Sequence, residues 1–587
     1  MEQALVDHVI RGEWLDLIPK VPEGRVIDED AMRAWGESRT CPASVIRDIL
    51  RGVLASKPDP HGLRLRGARI SGRLDLENLT TDVNLELQDC LIDEGLTARG
   101  AHLASVALIG CQIGHPVEPP LDAYRLTCST LILSRARIIG HAYSGAVRLT
   151  GAHILGNLGC GEACLRNDSG PALHGGGLQV DHGVFLHRRF TATGTGELGA
   201  VRLTGAHIAG GLQCDSGSFA NDSGPALHGD GLQVGGSMLL RGFTATGAGE
   251  LGAVRLTGAH IADDLGCGGA CLRNGSGPAL SGDRLQVGQA MFLCSGFTAT
   301  GAGDFGAVRL AGAHIGGQLD CTKANLCNHS GPALLANGLQ VGQAMLLHNE
   351  FTATGGGDGV AVDLTAVRLG GALLVDPERL KHVTCPHRRL AADGLTYAGV
   401  PKKVSATVWL DLLRDGTPDY TAQPYQQLAA GYRALGDDRQ ARKILMMQRD
   451  DQLARTDPPW PERSWGRITK ITLGYGYQPW KALLFLATVV AISCVLAVWL
   501  GSHGALVQTS KTATPGRSCT VVQQVSVGLD LNLPVGNSVA RADCDLTTDS
   551  ASLTAAWLAG VGWVLRLLAW VFAALFIAGF TSAIRKT

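Results

Sequence analysis

The chain has 587 residues, too many for one compact core, and a formal net charge of only −1, so charge gives no case for nucleic acid or an acidic substrate. Aromatic residues make up 5% and glycine fills 78 positions, which suits a narrow solenoid with tight corners better than a thick hydrophobic core. Sixteen cysteines run along a chain whose start, MEQALVDHVIRGEW, has neither a basic n-region nor an apolar h-region, and this predicts a reducing compartment for most of it.

Residues 1–60 read as a helical cap. Leu5, Val6, Val9 and Ile10 recur at helical spacing, and ASVIRDILRGVLAS repeats the pattern from Ala43, behind Pro42. A solenoid needs a cover over its first coil, and this segment stands where that cover belongs.

From His61 the pattern changes. GLRLRGARISGRLDLENL sets Leu63, Leu65, Ala68, Ile70, Leu74 and Leu76 among Arg, Ser and Asp, the period-two alternation of short strands turned at glycines. GAVRLTGAHI then begins at Gly145 and returns at Gly199, Gly252 and, with one change, Gly306, at spacings of 54, 53 and 54 residues. Self-similarity at a fixed period signals stacked units that bury their apolar faces against their neighbours. Each unit holds two diverged halves, because AHIAGGLQC from Ala206 aligns with LQVGGSMLL from Leu232 at an offset of 26 residues. The prediction is a mainly β fold, a parallel β-solenoid of about 13 coils over residues 61–376, about 60 Å long at about 4.8 Å per coil.

Residues 377–478 read as a linker and helical hairpin: Asp419 to Ala454 forms two amphipathic helices broken near Gly436, and Pro458, Pro459 and Pro461 mark a linker. Ala482 to Leu500 is 19 residues without a charge, the core of a first transmembrane helix over 479–501. An extracytoplasmic loop over 502–549 follows, then an apolar tract over 550–587 that contains an interfacial segment, a second transmembrane helix and a basic tail. An isolated charge is costly in apolar surroundings, so Arg566 should face water, a partner or the interface, and one solution divides the tract there into an interfacial or re-entrant helix, Leu553 to Leu565, and a span from Leu567 to Ile584.

The positive-inside rule places both ends, and the solenoid with them, in the cytoplasm of a two-pass plasma-membrane protein. Arg463, Arg467, Lys470 and Lys481 precede the first span, and Arg585 and Lys586 follow the second; the loop between sets Lys511, Arg517 and Arg541 against Asp530, Asp543, Asp545 and Asp549. In that outward loop Cys519 and Cys544 are candidates for a disulfide worth roughly 3 kcal/mol, with free thiols as the alternative.

Three recurrent patterns suggest functional sites. GTGELG at Gly194, GAGELG at Gly247 and GAGDFG at Gly301 match the dinucleotide-binding G-x-G-x-x-G, yet a strand pattern follows each where that motif needs a helix. Cys160, Cys214, Cys267 and Cys321 share one repeat position, but the intervening coils place Leu186, Leu240, Leu293 and Leu347 there, as an apolar interior column would. Successive thiols would lie about 9.6 Å apart, beyond disulfide or shared-zinc reach; Cys164 and Cys271, four residues after Cys160 and Cys267, leave local pairs open.

His153, His207, His260 and His314 form the third pattern. Each is flanked by inward Ala and Ile, so the imidazoles point outward, alternating with Gln179, Gln233, Gln286 and Gln340. Arg148, Arg202, Arg255 and Arg309 run beside them, and together these residues are candidates for binding an anionic or polar partner; a solvated face bonded along the stack is the alternative. No nucleophile, base and orienting acid recur at catalytic spacing, and neither a metal nor a cofactor site is predicted.

The inward Ala68/Ile70, Ala152/Ile154 and Ala206/Ile208 pairs resemble those of pentapeptide-repeat and related right-handed β-solenoids. End to end, through the GLRLRGARISGRLDLENL opening, the GAVRLTGAHI units, AQPYQQLAAGYRALG, TLGYGYQPWKALL and FIAGFTSAIRKT, the chain resembles actinobacterial solenoid proteins with two carboxy-terminal spans, often labelled membrane-associated oxidoreductases. The resemblance implies a right-handed solenoid and a redox activity that maps onto no residue here.

The leading expectation is a membrane-tethered, non-enzymatic scaffold or sensor whose partners are the lipid bilayer and a protein on the ladder face, with no nucleic acid. The resemblance makes an oxidoreductase the second reading. The third is a homo-oligomeric membrane pore with Arg566 near its mouth.

Overall fold

Parallel pairing of short strands, most of them two to four residues long, builds the first part of the protein. The computed structural model describes residues 1–18, 29–508, 517–532, 544–546 and 553–586, and the chain divides into two compact units, Met1–Gly436 and Asp437–Thr587.

In the first unit the described strands form three parallel sheets of 24, 14 and 13 strands, a β-solenoid of about 13 turns. Each coil crosses one broad face twice, as in His207–Ile208 and Leu212–Gln213. It then crosses a second face, as in Ser218–Asn221, and a third, as in Leu227–His228. Period-two alternation sets one side of every strand inward, and the inward residues have essentially no exposure from Leu63 to Val375.

The two-coil period has a packing cause. Coils with Phe190, Phe243, Phe297 or Phe351 at one corner carry Ala192, Ala245, Ala299 or Ala353 two residues on. The coils between reverse the order, with Gly217, Ala270 or Ala324 followed by Phe219, Leu272 or Leu326. Large side chains therefore interlock with small ones along the stack, and Phe219 meets Phe190 and Phe243 edge-on at 5.6 and 4.8 Å. The cysteine column follows the same logic: Cys160, Cys214, Cys267 and Cys321 are wholly buried between leucines, and burial pushes the Cys160 and Cys267 thiols up to about 12. Cys164 and Cys271 are unpaired.

The amino-terminal cap is mixed rather than purely helical. Helices α1 (Glu2–Arg11) and α3 (Ala43–Leu50) bury Leu5, Val9, Ile46 and Ile49, with the short α2 (Glu29–Arg33) between them. Leu15–Asp16 and Thr40–Pro42 pair in parallel with Leu65–Arg66 and Arg69–Ser71, so the cap extends the sheets it covers. At the other end parallel pairing continues past residue 376, through Leu380–His382 and Leu390–Ala391. Helices α4 (Ala406–Asp415) and α5 (Gln423–Ala434) follow. They close this end: Trp409, Leu412, Tyr425 and Leu428 are buried, and the Gln423 and Gln427 amides donate to the Leu395 and Tyr397 carbonyls at 2.9 and 2.8 Å. The expected hairpin does break near Gly436, but α5, its first helix, belongs to the solenoid cap.

The second unit contains α6 (Asp438–Arg455), α7 (Trp460–Leu473), α8 (Trp480–Ser502), α9 (Val521–Asp530) and α10 (Leu553–Lys586). The prolines at 459 and 461 start α7, because a missing N–H costs nothing in a first turn. Trp480–Ser502 and Gly560–Thr581 are long and apolar enough to cross a membrane.

The expected division at Arg566 does not occur, since α10 runs unbroken through it. The guanidinium lies 6.0 Å from each of the Trp563 and Trp570 rings, three residues before and four after on one helix face, which shelters the charge without a break. The interval expected to be a loop instead holds α9 against α8: Gly501 faces the Gln524 amide, and Gly528 lies against the backbone of Ser493 and Cys494. The side of α9 away from α8 exposes Val521, Val522 and Leu529. Cys519 and Cys544 form a disulfide. Of the residues weighed for membrane orientation, Lys511, Arg541, Asp543 and Asp549 lie outside the described residues, as do the side chains of Asp545, Arg585 and Lys586.

Candidate partner-binding face

The four predicted histidines fall into one column. In register, His153 stands beside Gln179, then follow His207, Gln233, His260, Gln286, His314 and Gln340, all on the broad face. Their flanking Ala and Ile fill the interior, so the polar side chains point out; His153 is half-buried and the rest are exposed. The His153 Nε2 lies 2.9 Å from an Asp181 carboxylate oxygen, and the His207 Nδ1 lies 3.3 Å from the Gln233 amide oxygen.

A second column on the same face escaped the sequence reading. The strand that follows each histidine strand places Gly159, Phe185, Gln213, Leu239, Gly266, Phe292, Asp320 and Leu346 in register, pointing outward. Phe185, Leu239, Phe292 and Leu346 are each half-buried, so a line of apolar knobs runs parallel to the His–Gln line. The signal was present as an apolar residue one place out of phase with its strand, as in Met238–Leu239–Leu240, but an apolar triplet does not announce which member faces out.

The arginines are not beside the histidines in one sheet. Arg148, Arg202, Arg255 and Arg309 occupy the third face, in register with His174, His228, Ser281 and Leu335. Three are neutralised locally: Arg148 by Asp122 at 3.6 Å, Arg255 by Asp230 at 2.5 Å and Arg309 by Asp283 at 2.6 Å. Arg202 instead donates its Nε–H to the Thr204 hydroxyl at 2.8 Å. Burial, together with Arg202 and Arg148, holds His174 below the usual imidazole range, while its bond to the Ser144 carbonyl opposes this.

The glycine-rich corners are occupied by the fold itself. Gly196 and Gly199 adopt φ of 82° and 98°, and a strand, Val201–Arg202, follows rather than a helix. The Gly196, Gly249 and Gly303 N–H groups donate to the hydroxyls of Ser223, Ser276 and Ser330 in the next coil at 2.6, 2.7 and 2.8 Å. Their carbonyls accept from the buried amides of Asn221, Asn274 and Asn328, so these corners carry an internal hydrogen-bonded ladder where a pyrophosphate would have to sit. Among the described residues no group of three or more His, Cys, Asp or Glu side chains could hold a metal ion. The chain matches no family model, no curated protein and no solved structure, so its fold and face stand on their own geometry.

Proposed function

We propose that the protein is a membrane-tethered, non-enzymatic scaffold or sensor whose cytoplasmic solenoid presents its broad face to a protein partner. The observation that carries this reading is the pairing of two outward columns on one rigid face, one of alternating His and Gln and one of half-buried Phe and Leu. A polar line that fixes register beside an apolar line that supplies burial is the composition of a recognition surface. The two helices able to cross a membrane supply the tether. Amphipathic α7, with Trp460, Trp465, Ile468 and Ile471 exposed, suits the membrane surface just before the first of them.

A photo-crosslinking residue placed at His207, His260 or Phe292 in intact cells should yield a discrete adduct, whereas one at Thr246 or Thr300 on the second face should not. Equal adducts from both faces, or none from the broad face, would refute the assignment. The sidedness has its own test. The exposed Cys164 thiol should react with an impermeant maleimide only after the membrane is opened.

A further inference from the structure

The solenoid repeats itself closely enough that one coil shows what another lacks. In the corner His228–Gly229–Asp230–Gly231, the Asp230 carboxylate is held by three groups: the Arg255 guanidinium at 2.5 Å, the His228 Nε2 at 3.4 Å and the Thr257 N–H at 3.1 Å. The next unit repeats the pair, with Asp283 on Arg309. In the unit before, the corner is His174–Gly175–Gly176–Gly177, and glycine stands where the acid belongs. Two holders remain as they stand, Arg202 and the Thr204 N–H, whose counterpart at Thr257 binds an Asp230 oxygen, and His174 joins them when its ring takes up a proton at Nε2.

Gly176 is glycine for no backbone reason, because its φ lies outside the left-handed region. A Cβ built there meets the His174 Nε2 at an ordinary 3.5 Å, so the space for a side chain is present. Among the described residues, the neighbouring carboxylates are engaged elsewhere. Asp122 lies with Arg148 and Arg99, and Asp230 with Arg255 and His228. His174 gives its Nδ1 to the Ser144 carbonyl at 3.0 Å, leaving Nε2 toward the corner. Gly176 and Thr204 are partly exposed, and the corner leads directly into the His–Gln column at Gln179 and His207.

We propose that this corner is a carboxylate-binding notch, in which an Asp or Glu side chain of the partner docks against Arg202 where Asp230 docks against Arg255 one unit on. The partner class rests on the scaffold reading above, but the notch can be tested without any partner.

Phenylglyoxal modification of the full-length protein in detergent, read by mass spectrometry at individual arginines, should label Arg202 about fivefold faster than Arg255, the factor that a partly exposed ion pair supplies. Acetate should protect Arg202 and leave Arg309 unchanged. Gly176→Asp should slow Arg202 to the rate of Arg255 and abolish the acetate effect. Asp230→Gly should create a second notch and bring Arg255 under acetate protection. A polyglutamate peptide should protect Arg202 at a lower carboxylate concentration than acetate; equal potency would overturn the macromolecular source in favour of a free small carboxylate. An Arg202 rate unmoved by both acetate and Gly176→Asp would overturn the notch itself, and would do so independently of crosslinking at the broad face.

Discussion

The two units solve the burial problem in opposite directions. In the solenoid the apolar side chains point inward and have essentially no exposure, while the surface carries His, Gln, Thr and paired Arg. In the second unit Val495, Trp499, Leu567 and Ile577 are each more than half exposed. On its apolar helices two polar groups turn inward: Ser493 donates to the Val489 carbonyl at 3.0 Å, and the buried Gln524 amide donates to the Cys519 carbonyl at 2.9 Å. The same residue types thus mark the inside of one unit and the outside of the other, as they should if one faces water and the other hydrocarbon. Cysteine pairing follows the same division, with free thiols, most of them buried, in the solenoid and a disulfide in the interval between the two apolar helices.

This contrast can be attacked at graded strengths. The largest effect is expected from Phe219→Ala, which opens a cavity between Phe190 and Phe243 and should cost about 3–5 kcal/mol of solenoid stability in denaturant unfolding followed by β-sheet circular dichroism. Reduction of Cys519–Cys544 should cost roughly 3 kcal/mol, confined to the second unit, and leave the solenoid transition where it was. Asn274→Ala strips the donor from the Gly249 and Pro278 carbonyls and should cost about 1–3 kcal/mol in the solenoid.

Acid should act more gently. Because the folded protein holds His174 below its ordinary value of 6.5, the stability tied to its neutral form is complete above pH 6.5 and is lost as pH falls through the folded value. Melting curves from pH 7.5 to pH 5 should therefore be less acid-sensitive in His174→Gln. Smallest of all, His260→Ala on the exposed column should move stability by under about 0.5 kcal/mol, so that any loss of partner adduct in that variant reports recognition and not folding.

The repeat period and the alternating strands were legible because a stacked coil must present the same inward positions each time, and Ala152/Ile154 and Ala206/Ile208 keep that phase in plain view. The cysteine column was legible for the same reason, since its Cys–Leu alternation is a pattern of size and not of metal ligation. Arg566 misled because sequence spacing alone does not show that Trp563 and Trp570 flank its guanidinium on one helix face. Pro458 and Pro459 do fall in the short break between α6 and α7, whereas Pro461 sits in the first turn of α7, because the residue type that ends a helix also starts one.

What the sequence by itself determined is the solenoid, its outward histidines, the two apolar helices and the pairing candidates Cys519 and Cys544, all properties of short-range pattern and composition. Only the tertiary structure decided that the arginines occupy another face from the histidines, that Arg148, Arg255 and Arg309 each have an acid at hand while Arg202 has none among the described residues, and that Phe185, Leu239, Phe292 and Leu346 line up outside. Those facts depend on where each coil turns and which residues 26 to 28 positions apart come to lie side by side. Local periodicity carries no information about the turn, because a corner one residue longer or shorter leaves the pattern of each strand unchanged while moving its neighbours to a different face.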